Sequence, residues 1–272
     1  MPEIAEVETV RNVLKKQILN KKIVDVIVYY EPIIETNVKD FKRNLIGESF
    51  IDIKRKGKYL IFESNKYTMV SHLRMEGKYF VLSKELEKNK HEHVKIVFED
   101  GMSLRYNDVR KFGRIDLVNN GDENLIKGLE KQGEEPMSNK LTKEYLFNKL
   151  HNKKVPMKTL LLDQTIISGL GNIYADEVLY SSFINPHRLG TSITLEDCER
   201  IINSAREIIS KAIEFGGTTI RSYTSSLGVT GHYQDYLQVH KRENLECFNC
   251  KTKIVKDKIG GRSTYYCPNC QK

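Results

Sequence analysis

Four of the five cysteines fall in the last 26 residues, as Cys247-x2-Cys250 and Cys267-x2-Cys270 with 16 residues between the pairs. Two C-x-x-C turns at that separation close a tetrahedral Zn²⁺ site, each pair supplied by one tight turn of a hairpin. A segment this short cannot bury enough apolar surface to fold unaided, so the metal dictates its structure. A redox dithiol needs only one pair and a βαβ setting, which is missing. The fifth cysteine, Cys198, stands alone. An odd count without a secretory leader argues against a disulfide framework. The site expected here is structural, with no position left open for catalysis.

Ahead of that module the chain changes period twice. It begins MPEIAEVETVRNVLKK, with Ile4, Val7, Val10 and then Val13 or Leu14 at helical steps. Pro2 and the acids Glu3, Glu6 and Glu8 suit a helix start. The stretches IVDVIVYY, SFIDIKRKGKYLIFES, YTMVSHLRMEGKYFVLS, VKIVFEDGMSLRYND and GRIDLVN then read as short strands. Turn signals part them, with Asp100-Gly101 inside a hairpin pattern. Because no helix separates them, the sheets should be antiparallel, in a sandwich or barrel. KQGEEPMSNKLT is a turn-rich hinge. Beyond it KEYLFNKLH, MKTLLLDQT, NIYADEVLYSS and TLEDCERIINSAREIISKAIEF return to helical period. Residues 216–240 read as a long loop, and loops of that length are usually functional or disordered. The expected organisation is α+β and multidomain, divided at 1–132, 133–240 and 241–272.

At 39% hydrophobic residues the chain can bury real cores. It has no run approaching the roughly 18 apolar residues of a membrane helix. Three glutamates near the start exclude a secretory leader, and the cytoplasm is the expected compartment. The net charge of +8 suggests a polyanionic partner. By itself it does not separate nucleic acid from an anionic membrane.

Several residues stand out, each with an ordinary reading beside the sharper one. Proteins beginning Met-Pro usually lose the methionine, which leaves a secondary amine able to attack a sugar carbon. Lys58 follows Gly57 at a hairpin turn, where a lysine is normally solvated. Gly169-x-Gly171-Asn172 before a helix could present N–H groups and an amide to a phosphate, but a bare G-x-G is more often a connecting turn. Arg262 follows two glycines at a hairpin tip and could grip a phosphate. Met75 and Phe112 read as core residues, or with Arg110 as a wedge that enters a duplex.

Taken together, MPEIAEVETV, KGKYL, HLRMEGKY, KHEHV, LRYNDVRKFG, the EEP hinge, SGLGNIYADEVL, GGTT and GGRSTYYCPNCQK resemble the formamidopyrimidine-DNA glycosylases of base-excision repair. The resemblance spans the whole chain. It implies an N-terminal antiparallel β-sandwich with an N-terminal helix, a helix–two-turns–helix domain and a zinc β-hairpin, with DNA bound across the cleft between domains. It implies Pro2 as nucleophile, Glu3 as proton donor and acceptor, Lys58 in β-elimination and phosphate contact, and Arg262 in phosphate binding and δ-elimination. Asn172 resembles the asparagine that holds the phosphate beside the lesion. Met75, Arg110 and Phe112 resemble the residues that fill the space of the flipped nucleotide, Arg110 facing the orphaned cytosine. His91 and Lys153 resemble further backbone contacts, and the 216–240 loop resembles a cover over the lesion. The implied partner is duplex DNA carrying an oxidised purine opposite cytosine, the cofactor one structural Zn²⁺, and the enzyme a monomer.

The pattern has departures. Ala5 stands where the family usually has a second proline, and Val109 where proline precedes Arg-Lys-Phe-Gly. His240 and Lys241 stand in place of Tyr-Gly. Two other readings compete. The sister endonuclease VIII type shares the proline, glutamate, lysine and zinc hairpin but removes oxidised pyrimidines; Met75, Arg110, Phe112 and the long loop favour the purine enzyme. A zinc-ribbon protein that only binds DNA leaves Pro2, Glu3 and Lys58 unexplained.

Overall fold

In the computed structural model residues 1–218 and 231–272 are described. The opening helical period becomes α1 (Ile4–Ile18), whose Ile4, Val7, Val10, Leu14 and Ile18 are buried. The next element, β1 (Ile23–Val28), leads to a helix that strand periodicity does not announce, α2 (Val38–Leu45). Asn37 caps it by accepting hydrogen bonds from the N–H groups of Lys39 and Asp40 at 3.0 and 3.3 Å. Phe41 and Leu45 bury its inner face.

Seven strands follow: β2 (Asp52–Lys56), β3 (Tyr59–Glu63), β4 (Tyr67–His72), β5 (Lys78–Ser83), β6 (Glu92–Phe98), β7 (Met102–Asn107) and β8 (Arg114–Asn119). They form two antiparallel four-stranded sheets, ordered β1-β6-β7-β5 and β2-β3-β4-β8. One hydrophobic core draws on both sheets and on α1 and α2, including Phe41, Phe50, Phe62, Phe98 and Leu104. This is the expected sandwich. The stretch YTMVSHLRMEGKYFVLS, which could pass for a hairpin, instead crosses between sheets: β4 pairs with β3 and β8, and β5 with β7.

Residues 1–130 form one compact unit, which Gly216–Thr218 and Gly231 join; 131–215 and 232–272 form the other. The second unit holds α3 (Lys143–Leu150), α4 (Met157–Leu162), α5 (Asn172–Ser181) and α6 (Leu195–Glu214). Thr142 and Thr194 cap α3 and α6 through their hydroxyls. The zinc-module strands β9 (Val255–Ile259) and β10 (Arg262–Tyr266) pair antiparallel, and β10 packs on α5. Among the described residues no helix is long and apolar enough to cross a membrane.

Candidate active site

The first unit gathers its chemistry at the start of α1. Pro2 is buried and Glu3 is only 3% exposed. The Glu3 N–H donates to Oε2 of Glu6 at 2.8 Å, the reach-back expected when an acid sits three residues past the cap. The other oxygen of Glu6 accepts from the N–H and the hydroxyl of Thr218 at 2.8 and 3.0 Å. One buried carboxylate therefore joins the chain's first residues to a segment more than 200 positions away. From sequence Glu6 reads only as a helix-start acid.

Lys58 departs from what a hairpin turn suggests. It follows Gly57 (φ +58°) between β2 and β3, yet is only 5% exposed. Its turn is fastened to α1: Glu8 accepts from Arg55 Nε at 2.7 Å, and the same guanidinium donates to the Gly57 carbonyl at 3.0 Å. The α-amine of Met1 reports the surroundings. Burial holds it below the usual amine value, against the raising effect of Glu3, Glu6 and Glu76, while Lys58 lowers it further. An amine freed at Pro2 would begin one residue further into the same group. Close by, burial above all, then the charges of Arg74 and Lys58, push His72 down to about 3. It is therefore neutral, and its Nδ1 accepts the N–H of Arg74 at 3.0 Å.

Two turns carry the wedge candidates, and the structure brings them together. Met75 lies half-buried in the turn between β4 and β5; Arg110 and Phe112 are exposed between β7 and β8. A methyl group at Gly77 or at Gly113 would overlap the hydroxyl of Tyr106, so both turns close on one side chain. Asp108 shapes the second turn. Buried at 1% exposure, it accepts from the N–H groups of Arg110, Phe112 and Gly113 at 2.8–2.9 Å. Arg110 lies 4.6 Å above the Phe112 ring, so aromatic and cation leave the turn as a pair. The half-buried His91 sits at its base, where its carbonyl accepts the Asp108 N–H at 3.0 Å. Sequence reading missed Asp108; its signal is an acid placed two to five residues ahead of the N–H groups it gathers.

In the second unit Gln164 shapes the approach to α5, accepting from the Gly169 N–H and donating to the Leu170 carbonyl. Asn172 opens α5, and its Nδ2 donates to the Ser263 carbonyl on β10 at 2.8 Å. Arg262 is the exposed residue next to Ser263, directly after Gly260 and Gly261 (φ +56° and +76°). These positive angles make the two-residue turn that fits strand twist. The Asn172–Ser263 hydrogen bond thus sets the start of β10, with Arg262 one residue before Ser263, against the N-terminus of α5, whose N–H groups suit an anion. Beneath it Lys158, fully buried, donates to the Asn172 carbonyl at 2.8 Å and to Asp176 at 2.6 Å. The other oxygen of Asp176 meets His240 Nδ1 at 2.7 Å. His240 is thus a buried partner of α5. Lys153 is exposed in the α3–α4 connection.

The four cysteine sulfurs lie within 4.8 Å of one another, with 3.4 Å between Cys250 and Cys267 and 3.9 Å between Cys247 and Cys270. Zn–S bonds of about 2.3 Å in a tetrahedron put sulfurs about 3.8 Å apart. The donor set and spacing fit one structural zinc, closed by four protein ligands.

Three domain families match in series: the formamidopyrimidine-DNA glycosylase N-terminal domain over residues 1–115, its H2TH domain over 132–224, and the zinc finger found in FPG and IleRS over 245–272. The formamidopyrimidine-DNA glycosylase of Lactobacillus helveticus is 45% identical over 272 residues, covering 100% of this chain and 99% of that protein. This chain belongs to the formamidopyrimidine-DNA glycosylase family. The enzyme of that name from Bacillus cereus is 43% identical over 100% of this chain and 99% of its own. Among solved structures, wild-type Lactococcus lactis Fpg with DNA containing N7-benzyl-Fapy-dG superposes with a TM-score of 0.93 at 38% identity, covering 100% of both chains. A complex of Lactococcus lactis Fpg with abasic-site DNA gives 0.93 at 38% identity over 99% of each.

Proposed function

We propose that this chain is a bifunctional DNA glycosylase and AP lyase that removes oxidised purines, 8-oxoguanine and formamidopyrimidines, from duplex DNA. The observation that carries the reading is the start of α1, where Pro2 and Glu3 are buried and Lys58, itself withdrawn from solvent, is near enough to act on the neighbouring Met1 amine. Loss of Met1 frees the Pro2 amine. At the Met1 amine, one residue away, burial and Lys58 favour the neutral form while Glu3, Glu6 and Glu76 oppose them.

The chemistry follows from a secondary amine beside an acid. The target nucleotide must leave the stack before its C1′ is reachable. The Pro2 nitrogen attacks C1′ and the bond to the base breaks; Glu3 gives the departing base a proton, then takes the N–H proton of the alkylated amine and returns it to O4′ as the sugar ring opens. Four bonds on nitrogen leave an iminium that is cationic without further protonation. It acidifies C2′, so loss of a C2′ proton expels the 3′ phosphate. A second elimination releases the 5′ phosphate. Lys58 serves the first elimination and Arg262 the second, each beside the phosphate it helps to leave.

Duplex DNA engages residues of both units: Met75, His91, Arg110 and Phe112 of the first, Lys153 and Asn172 of the second. Arg110 faces the orphaned base, with cytosine preferred. The protein acts as a monomer on cytoplasmic, nucleoid DNA. The lesion-covering role read for residues 216–240 falls largely on 219–230, outside the described residues.

Borohydride trapping tests the reading. Protein with a free native N-terminus should give a covalent band on duplex DNA carrying 8-oxoguanine opposite cytosine, and an N-terminally tagged form should give none. Intact DNA binding with no band in either lane would overturn it. A band on thymine-glycol DNA alone would move the assignment to oxidised pyrimidines.

A further inference from the structure

Helix α5 meets the zinc module at both ends. At its first residue Asn172 holds the Ser263 carbonyl. Eight residues on, about 12 Å along the axis, the Tyr180 hydroxyl lies 3.2 Å from Cys247 Sγ. Tyr180 is 8% exposed and belongs to the same apolar cluster as Cys247, Cys267, Val239 and Ile254. A thiolate bound to zinc carries no proton, so the hydroxyl is the donor. A weaker contact comes from Asn249, whose Nδ2 stands 3.4 Å from Cys270 Sγ.

We infer that Tyr180 is a positioning residue for the zinc centre: its hydrogen bond stabilises the Cys247 thiolate and so governs how firmly the metal is held. The four cysteines are supplied by the terminal module alone, whereas this donor comes from the helix that begins with Asn172. Zinc retention is thereby tied to α5. The inference rests on the zinc site and not on the proposed DNA chemistry, and its test uses no DNA.

The test is Tyr180→Phe, which removes one hydroxyl and keeps the ring. Zinc transfer from the full-length protein to a chromogenic chelator should be about 10–100-fold more favourable for the chelator, the usual loss when a partner of a metal ligand is removed. In cobalt(II)-substituted protein the sulfur-to-metal charge-transfer band should move to lower energy, because an unbonded thiolate gives up charge more readily. A merely structural Tyr180 would not move that band. Asn249→Ala, at an exposed position, should shift both readouts the same way but less. It keeps the proposal open to refutation if the tyrosine variant fails to fold. Chelator transfer within twofold of the parent and an unmoved band in a folded Tyr180→Phe protein would overturn the inference; so would an unchanged Asn249→Ala where the tyrosine variant cannot be made.

Discussion

His72 is the clearest case in which a residue's surroundings decide its chemistry. Burial, with Arg74 and Lys58 nearby, takes it from 6.5 to about 3, so the native protein leaves it unprotonated where the unfolded chain does not. Its contribution to stability is full above pH 6.5 and is lost as pH falls towards 3. Lowering pH from 7.5 to 5.5 should cost about 1.4 kcal/mol through this one group. Thermal melts of the parent and of His72→Gln across that interval should show the shallower dependence in the variant; parallel curves would refute it. Glu3 allows a second prediction at this scale. In the proposed chemistry its proton matters to departure of the base and much less to an abasic site, which has no base to lose. Glu3→Gln should therefore lose about 10²-fold or more in 8-oxoguanine excision yet still trap on abasic DNA, and equal loss on both substrates would deny Glu3 that role. None of this burial is legible in the sequence: Lys58 after Gly57 reads as an exposed turn, because the link that draws it in, Glu8 to Arg55, joins residues 47 positions apart.

At the scale of elements, the sequence predicts α1 and α3 through α6 where the structure has them, since helical period is a local signal. The strands are equally plain, but their partners are not. Nothing local tells that the turn after β4 crosses to the other sheet, because pairing depends on residues far apart. That crossing sets the Met75 turn beside the Asp108 turn, and Gly77 and Gly113 are required there by contact with Tyr106 rather than by turn angles. Gly113→Ala should therefore destabilise the protein by about 1–3 kcal/mol, the usual cost of overfilling a packed site. Removing the overlapped hydroxyl with Tyr106→Phe should return part of that loss. A double-mutant cycle by urea denaturation measures the coupling, and strict additivity would show that the Gly113 turn does not close on Tyr106.

On the scale of the whole molecule, the cysteine spacing makes the zinc module legible from the start, whereas the return of Thr218 to Glu6 is not, because a glutamate in a first turn has a sufficient local explanation. The two compact units divide the proposed labour unevenly: Pro2, Glu3 and Lys58 lie in the first, the four cysteines, Asn172 and Arg262 in the second. The sandwich core contains no cysteine, while the cluster beneath β9 and β10 is built around them. Stripping the metal with a strong chelator should thus unfold the hairpin and leave the sandwich intact. Far-ultraviolet circular dichroism should keep most of the antiparallel-sheet signal while duplex affinity falls, because Arg262 and the Asn172–Ser263 pair lose their scaffold. The remaining binding should depend less steeply on salt, since every phosphate that the protein ceases to neutralise takes about 0.9 from the slope of log K against log salt. Readdition of Zn²⁺ should restore affinity and slope together. Collapse of the sheet signal on chelation would show that the sandwich depends on the metal, and unchanged affinity would remove the zinc module from the DNA-binding surface.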